Sequence, residues 1–169
     1  FYNENDVGEV VNIQSQVGQW LPDWHPYEDY KNAYYARKDL GGGVALTLIH
    51  EIHLAIELAG FPTSVVGEIS GYDELELEVD VCSDLMIKHK SGAVSQIHLD
   101  YLQQPFHRSG LITFKTGWLA YDFTKMELIG QKKSNDIRTI WSDKNYDNNQ
   151  AYIDQMSKFV RFVEEGRLK

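Results

Sequence analysis

Between Ser64 and Trp141 the sequence falls into short stretches in which apolar and polar residues alternate: SVVGEIS, LELEVDVCSDLMIKH, AVSQIHLDYL, GLITFKT, WLAYDF and MELIG. Period-two alternation is what a strand with one packed and one solvated face requires, and the intervening GYDE, KSG, HRSG and KTG are turn formers. Five or six strands are expected. Connections as short as Ser91-Gly92 favour antiparallel hairpins. Leu75, Leu77, Val79 and Val81 alternate with Glu74, Glu76, Glu78 and Asp80, which gives that expected strand one acidic face. Upstream, the β-branched stretch Gly8–Gln16 reads as an opening strand.

Helical patterns flank this meander. GGGVALTLIHEIHLAIELAG, residues 41–60, is apolar on most sides, opens after Gly41–Gly43 and is stopped by Gly60 and Pro62. Near the C-terminus, Met156, Phe159, Val160 and Val163 share one face of an expected helix over Asn148–Glu165, with Asp147 or Asn148 as its cap. The Trp-, Tyr- and Pro-rich segment Val17–Leu40 lacks periodicity and reads as an irregular loop with a short helix. Helices before and after strands imply an α+β domain: a mostly antiparallel, open-faced sheet with helices packed on one face. The 169 residues, 43% of them hydrophobic, suffice for one such domain spanning 1–169. Helices over 43–60 and 148–165 can cover only one face. Ile97, Leu99, Tyr101, Ile112, Phe114, Trp118, Ala120 and Phe123 then leave apolar surface for the other, so a homodimer or tetramer formed sheet to sheet is expected.

Charge and cysteine content exclude several classes. Sixteen basic against twenty-five acidic residues give a net charge of −9, and the Lys132-Lys133 pair is too short to neutralise several phosphates. Neither nucleic acid nor an anionic membrane is an expected partner. Cys82 is the sole cysteine, so no intrachain disulfide can form, and a cytoplasmic location is expected. The most apolar run is interrupted by His50, Glu51 and His53, so no segment reads as a membrane span. The opening FYNEND lacks a methionine, which suggests a piece of something longer.

Those three polar residues in an apolar helix need an explanation, since buried polar groups require partners. His50, His53 and Glu57 lie at i, i+3 and i+7 on a common face, and Glu51 points about a third of a turn away. A metal site is disfavoured: His-Glu-x-His does not place two imidazoles one turn apart as His-Glu-x-x-His does, and no metal ligands are expected. Two readings stay open. His50 is hydrogen-bonded in the core with His53 and Glu57 at its edge, or His50 lines a pocket and moves a proton.

Gly41-Gly42-Gly43-Val44, then Leu48-Ile49-His50-Glu51-Ile52, then Ala59-Gly60-Phe61-Pro62 resemble the C-terminal domain of the Gfo/Idh/MocA oxidoreductases, named for glucose–fructose oxidoreductase and inositol dehydrogenase. Leu21–Pro26 with Tyr30 before them, and Gly92-Ala93-Val94, Leu99-Asp100-Tyr101 and Gly117–Asp122 after them, extend the resemblance in order along more than half the chain. The resemblance implies a longer NAD- or NADP-dependent dehydrogenase acting on a sugar, sugar derivative or polyol. Its cofactor would be bound mainly by an N-terminal Rossmann domain that this chain lacks, since no G-x-G-x-x-G is present and Gly41–Gly43 read as small residues where a helix start approaches other backbone. The isolated chain is expected to be inactive.

By the same resemblance His50 faces substrate as a proton shuttle. The family pattern is broken at two places: Leu46 stands where an aspartate one turn before the histidine is usual, and His53 where another follows it. A second reading is therefore a binding or scaffold domain that has lost catalysis, and a metal-dependent hydrolase is the least favoured of the three. Asp23, His25 and Tyr30, in a loop whose aromatic faces suit sugar rings, are candidate substrate contacts, together with Thr47 beside the histidine and Arg108 as an anion binder.

Overall fold

The computed structural model describes residues 7–133 and 136–167. Its centre is one eight-stranded sheet: β1 Val10–Gly18, β2 Pro62–Ser70, β3 Cys82–His89, β4 Val94–Asp100, β5 His107–Phe114, β6 Gly117–Asp122, β7 Glu127–Lys132 and β8 Arg138–Ser142. The order across the sheet is β2-β3-β4-β1-β5-β6-β7-β8. Every neighbouring pair is antiparallel except β1 with β4. That parallel pair requires a crossover, which single-turn 3-10 segments between Leu21 and Leu40 and the helices α1 (Val44–Thr47) and α2 (His50–Ala59) supply over one face. The α+β class is therefore as the alternation implies.

Burial follows strand parity. Ile13, Ser15 and Val17 of β1, Ser95, Ile97 and Leu99 of β4, and Ile112 and Phe114 of β5 face the helices and are buried. Val44, Ala55 and Ala59 close this core with Leu21, Tyr35 and Tyr101. Ile97, Leu99, Tyr101, Ile112 and Phe114 thus belong to the core, not to the second face where the sequence had placed them. That second face is mixed in character: Gln14, Gln16, Gln96 and His98 line a trough of about 920 Å³ with Val66, Met86, Leu111 and Ile129.

Five local expectations change. The helix over 41–60 is two helices, because Leu48 leaves helical geometry (φ −95°, ψ 31°), and the segment Lys38–Thr47 meets His50–Ala59 at 53°. The acidic alternation Glu74–Asp80 is not strand: Glu76 adopts left-handed geometry (φ 53°), and Asp80 is drawn to the start of α1, where its carbonyl accepts from Val44 N and its carboxylate from Ala45 N. HRSG, read as a turn, opens β5, and β8 adds a strand that the pattern did not reveal, so β2–β8 number seven. Last, α3 (Asn149–Glu164) forms, with Asp147 Oδ1 accepting from Asn149 N, but none of its residues is buried, so the core on the covered face is closed by α1, α2, the Leu21–Leu40 segment and Leu75 and Val81 instead.

Candidate functional site

Helix α2 has two sides with opposite roles. Glu51, Ala55 and Ala59 face the sheet and are buried, whereas His50, His53 and Glu57 point outward. His50 is exposed, so the core-histidine reading fails; the buried polar residue is its neighbour Glu51, only 1% exposed. A carboxylate at that depth requires donors, and the sheet supplies three. Arg108 donates from Nε to Oε1, while Ser15 Oγ lies 2.9 Å and Tyr121 Oη 3.0 Å from Oε2. The two hydroxyl oxygens are themselves 2.5 Å apart, so two protons serve three oxygen–oxygen edges. Burial, then the Glu51 charge, raises the Tyr121 hydroxyl above the ordinary tyrosine range and keeps it a neutral donor.

Close packing permits this network. Ser15 of β1 is opposite Gly110 of β5, which is opposite Tyr121 of β6; a Cβ at Gly110 would lie 2.5 Å from the tyrosine ring. The tyrosine therefore needs a glycine beside it to reach Glu51. Phe123 lies under the Arg108 guanidinium, 4.4 Å from its carbon to the ring centroid. Arg108, expected as an anion binder, is in this structure held inward, bonded to Glu51 and stacked on Phe123.

The other expected residues are distributed over the helical side. Thr47 ends α1, and its Oγ1 is buried beside the Tyr101 hydroxyl, which donates to the Tyr35 carbonyl at 3.3 Å. Asp23 is exposed; His25 Nδ1 is 2.8 Å from the Tyr27 hydroxyl, and the Tyr30 hydroxyl donates to Leu75 O at 3.3 Å. Trp24 stacks on Tyr35 with ring centroids 5.0 Å apart, so part of this aromatic loop is core cover. Burial, with a hydrogen bond to Glu28, pushes the Tyr35 hydroxyl up to about 12. Outside it, Leu46 and Ile49 are exposed around His50. His53 lies 3.4 Å from Glu57, and among the described residues no ion pair reaches His50.

The glycine run does not cradle phosphate. A Cβ on Gly42 would lie 2.5 Å from Tyr34 O and 2.7 Å from Tyr35 O, so close backbone approach explains it. The amides of Gly42, Gly43, Val44 and Ala45 all donate within the chain, to Arg37 O, Tyr35 O, Asp80 O and Asp80 Oδ2. A nucleotide phosphate could take these amides only by displacing those bonds.

An α+β domain with one open sheet face and a polar-anchored helix on the other is the class this architecture defines. The family model described as the GFO/IDH/MocA C-terminal domain matches residues 1–134, and the chain belongs to that family. Among solved structures, levoglucosan dehydrogenase in complex with NADH and levoglucosan superposes with a TM-score of 0.83 at 18% identity, over 96% of this chain and 52% of that one. An oxidoreductase from Agrobacterium radiobacter in complex with NAD+, L-tartaric acid and magnesium gives 0.72 at 13% identity, over 96% and 49%. An inositol dehydrogenase homolog from Azotobacter vinelandii complexed with NAD+ gives 0.66 at 8% identity, over 79% and 37%. No curated protein matches in sequence. The chain spans about half the length of the levoglucosan dehydrogenase it superposes on.

Proposed function

We propose that this chain is the C-terminal substrate-binding and oligomerisation domain of an NAD(P)-dependent oxidoreductase acting on a sugar, sugar derivative or polyol. The observation that carries the reading is the two-sided α2: Glu51 fixes its inner side, and His50 is thereby presented outward beside exposed Leu46 and Ile49. An imidazole held on a rigid element, uncovered by its own domain, suits proton exchange with a carbinol hydroxyl. Asp23, His25 and Tyr30 are the proposed substrate contacts, while Thr47, whose hydroxyl is buried beside Tyr101, and Arg108, through Glu51, support the site from within. The cofactor, which takes up or returns the hydride, is assigned to an N-terminal Rossmann half, because this chain's glycine-rich amides are already occupied. The open trough on the opposite face is assigned to self-association, and the protein to the cytoplasm.

His50→Ala in the full-length protein tests the reading. NAD(P)-linked turnover of a polyol and sugar panel is expected to fall by ~10²-fold or more, with thermal stability unchanged because the side chain is exposed. Leu46, in place of a carboxylate that would orient the imidazolium, favours the second reading of a non-catalytic binding domain. Unchanged turnover in the variant would remove His50 from the proton transfer, and no turnover in the parent with bound sugar retained would establish that alternative.

A further inference from the structure

The open face of the sheet carries a cluster that takes no part in the Glu51 network or the His50 surface. Cys82 and Asp84 are alternate residues of β3, His98 and Asp100 alternate residues of β4, and the register sets Cys82 opposite Asp100 and Asp84 opposite His98. Strand alternation therefore brings all four side chains to one face. His98 Nδ1 lies 2.8 Å from Asp84 Oδ1 and its Nε2 lies 3.1 Å from Asp100 Oδ2; Cys82 Sγ is 3.8 Å from Asp84 Oδ2. One donor atom from each of Cys82, Asp84 and His98 falls within 4.8 Å of the other two.

We propose that Cys82, Asp84 and His98 bind a borderline-soft divalent cation, zinc above all, with Asp100 as the positioning residue behind His98. The donor set decides the metal class: sulfur with imidazole selects zinc-like ions, whereas magnesium and calcium take oxygen. Donors bound at zinc's bond lengths in tetrahedral geometry are roughly 3.3–3.7 Å apart, so the 2.8 Å contact of His98 with Asp84 has to open while Cys82, 3.8 Å from Asp84, is already near that spacing, a change that side-chain rotation supplies. The Asp84 side chain is 63% exposed and can make that movement.

Asp100 cannot swing, and that is its use. Its side chain is only 6% exposed, and Oδ1 accepts from Leu102 N at 2.7 Å and Gln103 N at 2.6 Å. Oδ2 is left to accept the Nε2–H of His98, so a cation that displaces the Nδ1 proton from the 2.8 Å contact with Asp84 meets an Nδ1 lone pair aimed at the position beside that carboxylate. That is the carboxylate–histidine–metal arrangement, in which an outer carboxylate sets the tautomer and the ring orientation. Charge favours a cation as well: Glu68 of β2 is opposite Asp84, and among the described residues the one cationic partner of Asp84 and Asp100 is His98. Metal binding releases the Cys82 thiol proton to solvent, against the burial and the Asp84 and Asp100 charges that otherwise raise that thiol's pKa. Three protein donors leave a fourth position for water or a ligand oxygen. Helical spacing bears only on His50 and His53; this set is made by strand register.

The test strips the full-length protein with chelator, then titrates it calorimetrically with Zn²⁺ and spectroscopically with Co²⁺. One equivalent per chain is expected, with a thiolate-to-cobalt charge-transfer band that disappears in Cys82→Ser. Asp100→Asn should retain the band while weakening Zn²⁺ binding by ~10- to 100-fold, the signature of a positioning role. Asp84→Asn, a change at an exposed side chain that folding tolerates, should weaken it by at least ~10-fold, and His53→Ala should leave it unchanged. Absence of saturable binding, affinity that survives both Cys82→Ser and Asp84→Asn, or loss of binding in His53→Ala would each overturn the assignment.

Discussion

Glu51→Ala removes the acceptor for Arg108, Ser15 and Tyr121 in one step, and its cost can be worked from their burial. Glu51 is 1% exposed and the Arg108 side chain 26%, so the substitution strands a guanidinium that water reaches only in part. Breaking a buried pair by deleting one partner costs roughly 3–5 kcal/mol, and the two orphaned hydroxyls are included in that range because each can turn to the other across 2.5 Å. For a chain of 169 residues that corresponds to a fall in Tm of about 6–20 °C. Urea unfolding followed by circular dichroism is the direct assay. Glu57→Ala, at a side chain 69% exposed on the same helix, is the control and should cost under about 0.5 kcal/mol. Glu51→Leu combined with Arg108→Leu should recover part of the loss, because no charge is then stranded. A Glu51→Ala cost below about 1 kcal/mol would refute the claim that this carboxylate anchors the helix to the sheet.

Calorimetry on this chain alone should detect no micromolar binding of NAD or NADP, since its glycine-rich amides are already donating; a micromolar affinity would overturn that assignment. Burial raises the Asp122 carboxyl, but bonds from Lys125 and Thr124 outweigh it and bring the pKa from 3.8 down to about 2. The resulting stability is present above about pH 3.8 and lost as pH falls through about 2; after solvent screening it is worth about 1 kcal/mol, and acid titration of Asp122→Asn should lose that step. Light scattering should give at least twice the 19.5 kDa chain mass, with a sheet-to-sheet interface above ~1,000 Å². Leu111→Glu in the trough should shift it to monomer, and a monomeric parent across a wide concentration range would exclude the trough as an interface.

Alternation is legible in sequence wherever a strand has neighbours on both sides, because pairing then fixes which parity is buried. It misleads at Glu74–Asp80, where the same period serves a turn: Leu75 and Val79 are buried, but left-handed Glu76 reverses the path and Asp80 is committed to α1. Amphipathic spacing likewise finds α3 without saying what it packs on. Met156, Phe159, Val160 and Val163 share the expected face, and all are exposed. Nor does spacing reveal the break after Thr47, since Leu48 is as good a helix former as its neighbours.

The site was harder to read, for a physical reason. Periodicity reports which face of a helix is apolar, and on residues 44–59 nearly every face is, so the polar residues cannot be sorted by pattern alone. What sorts them is the partner strand: Ser15, Arg108 and Tyr121 lie far apart in sequence and converge only through β1, β5 and β6. Glu51, passed over because it lay off the histidine face, is therefore the buried anchor. The satisfied core histidine is His89, whose Nδ1 lies 2.6 Å from Gly60 O and Nε2 2.7 Å from Ser95 Oγ. With Nδ1 donating to a carbonyl, Nε2 accepts from the serine, and both polar atoms are satisfied. Among the described residues His50 has no such partners, and a helix that spends its one buried carboxylate on the sheet leaves its histidine for whatever meets the outer face. A carboxylate at position 46 would have competed for that imidazole from within the domain. With Leu46 there instead, proton exchange at His50 depends on groups that the substrate or the proposed N-terminal half brings to it.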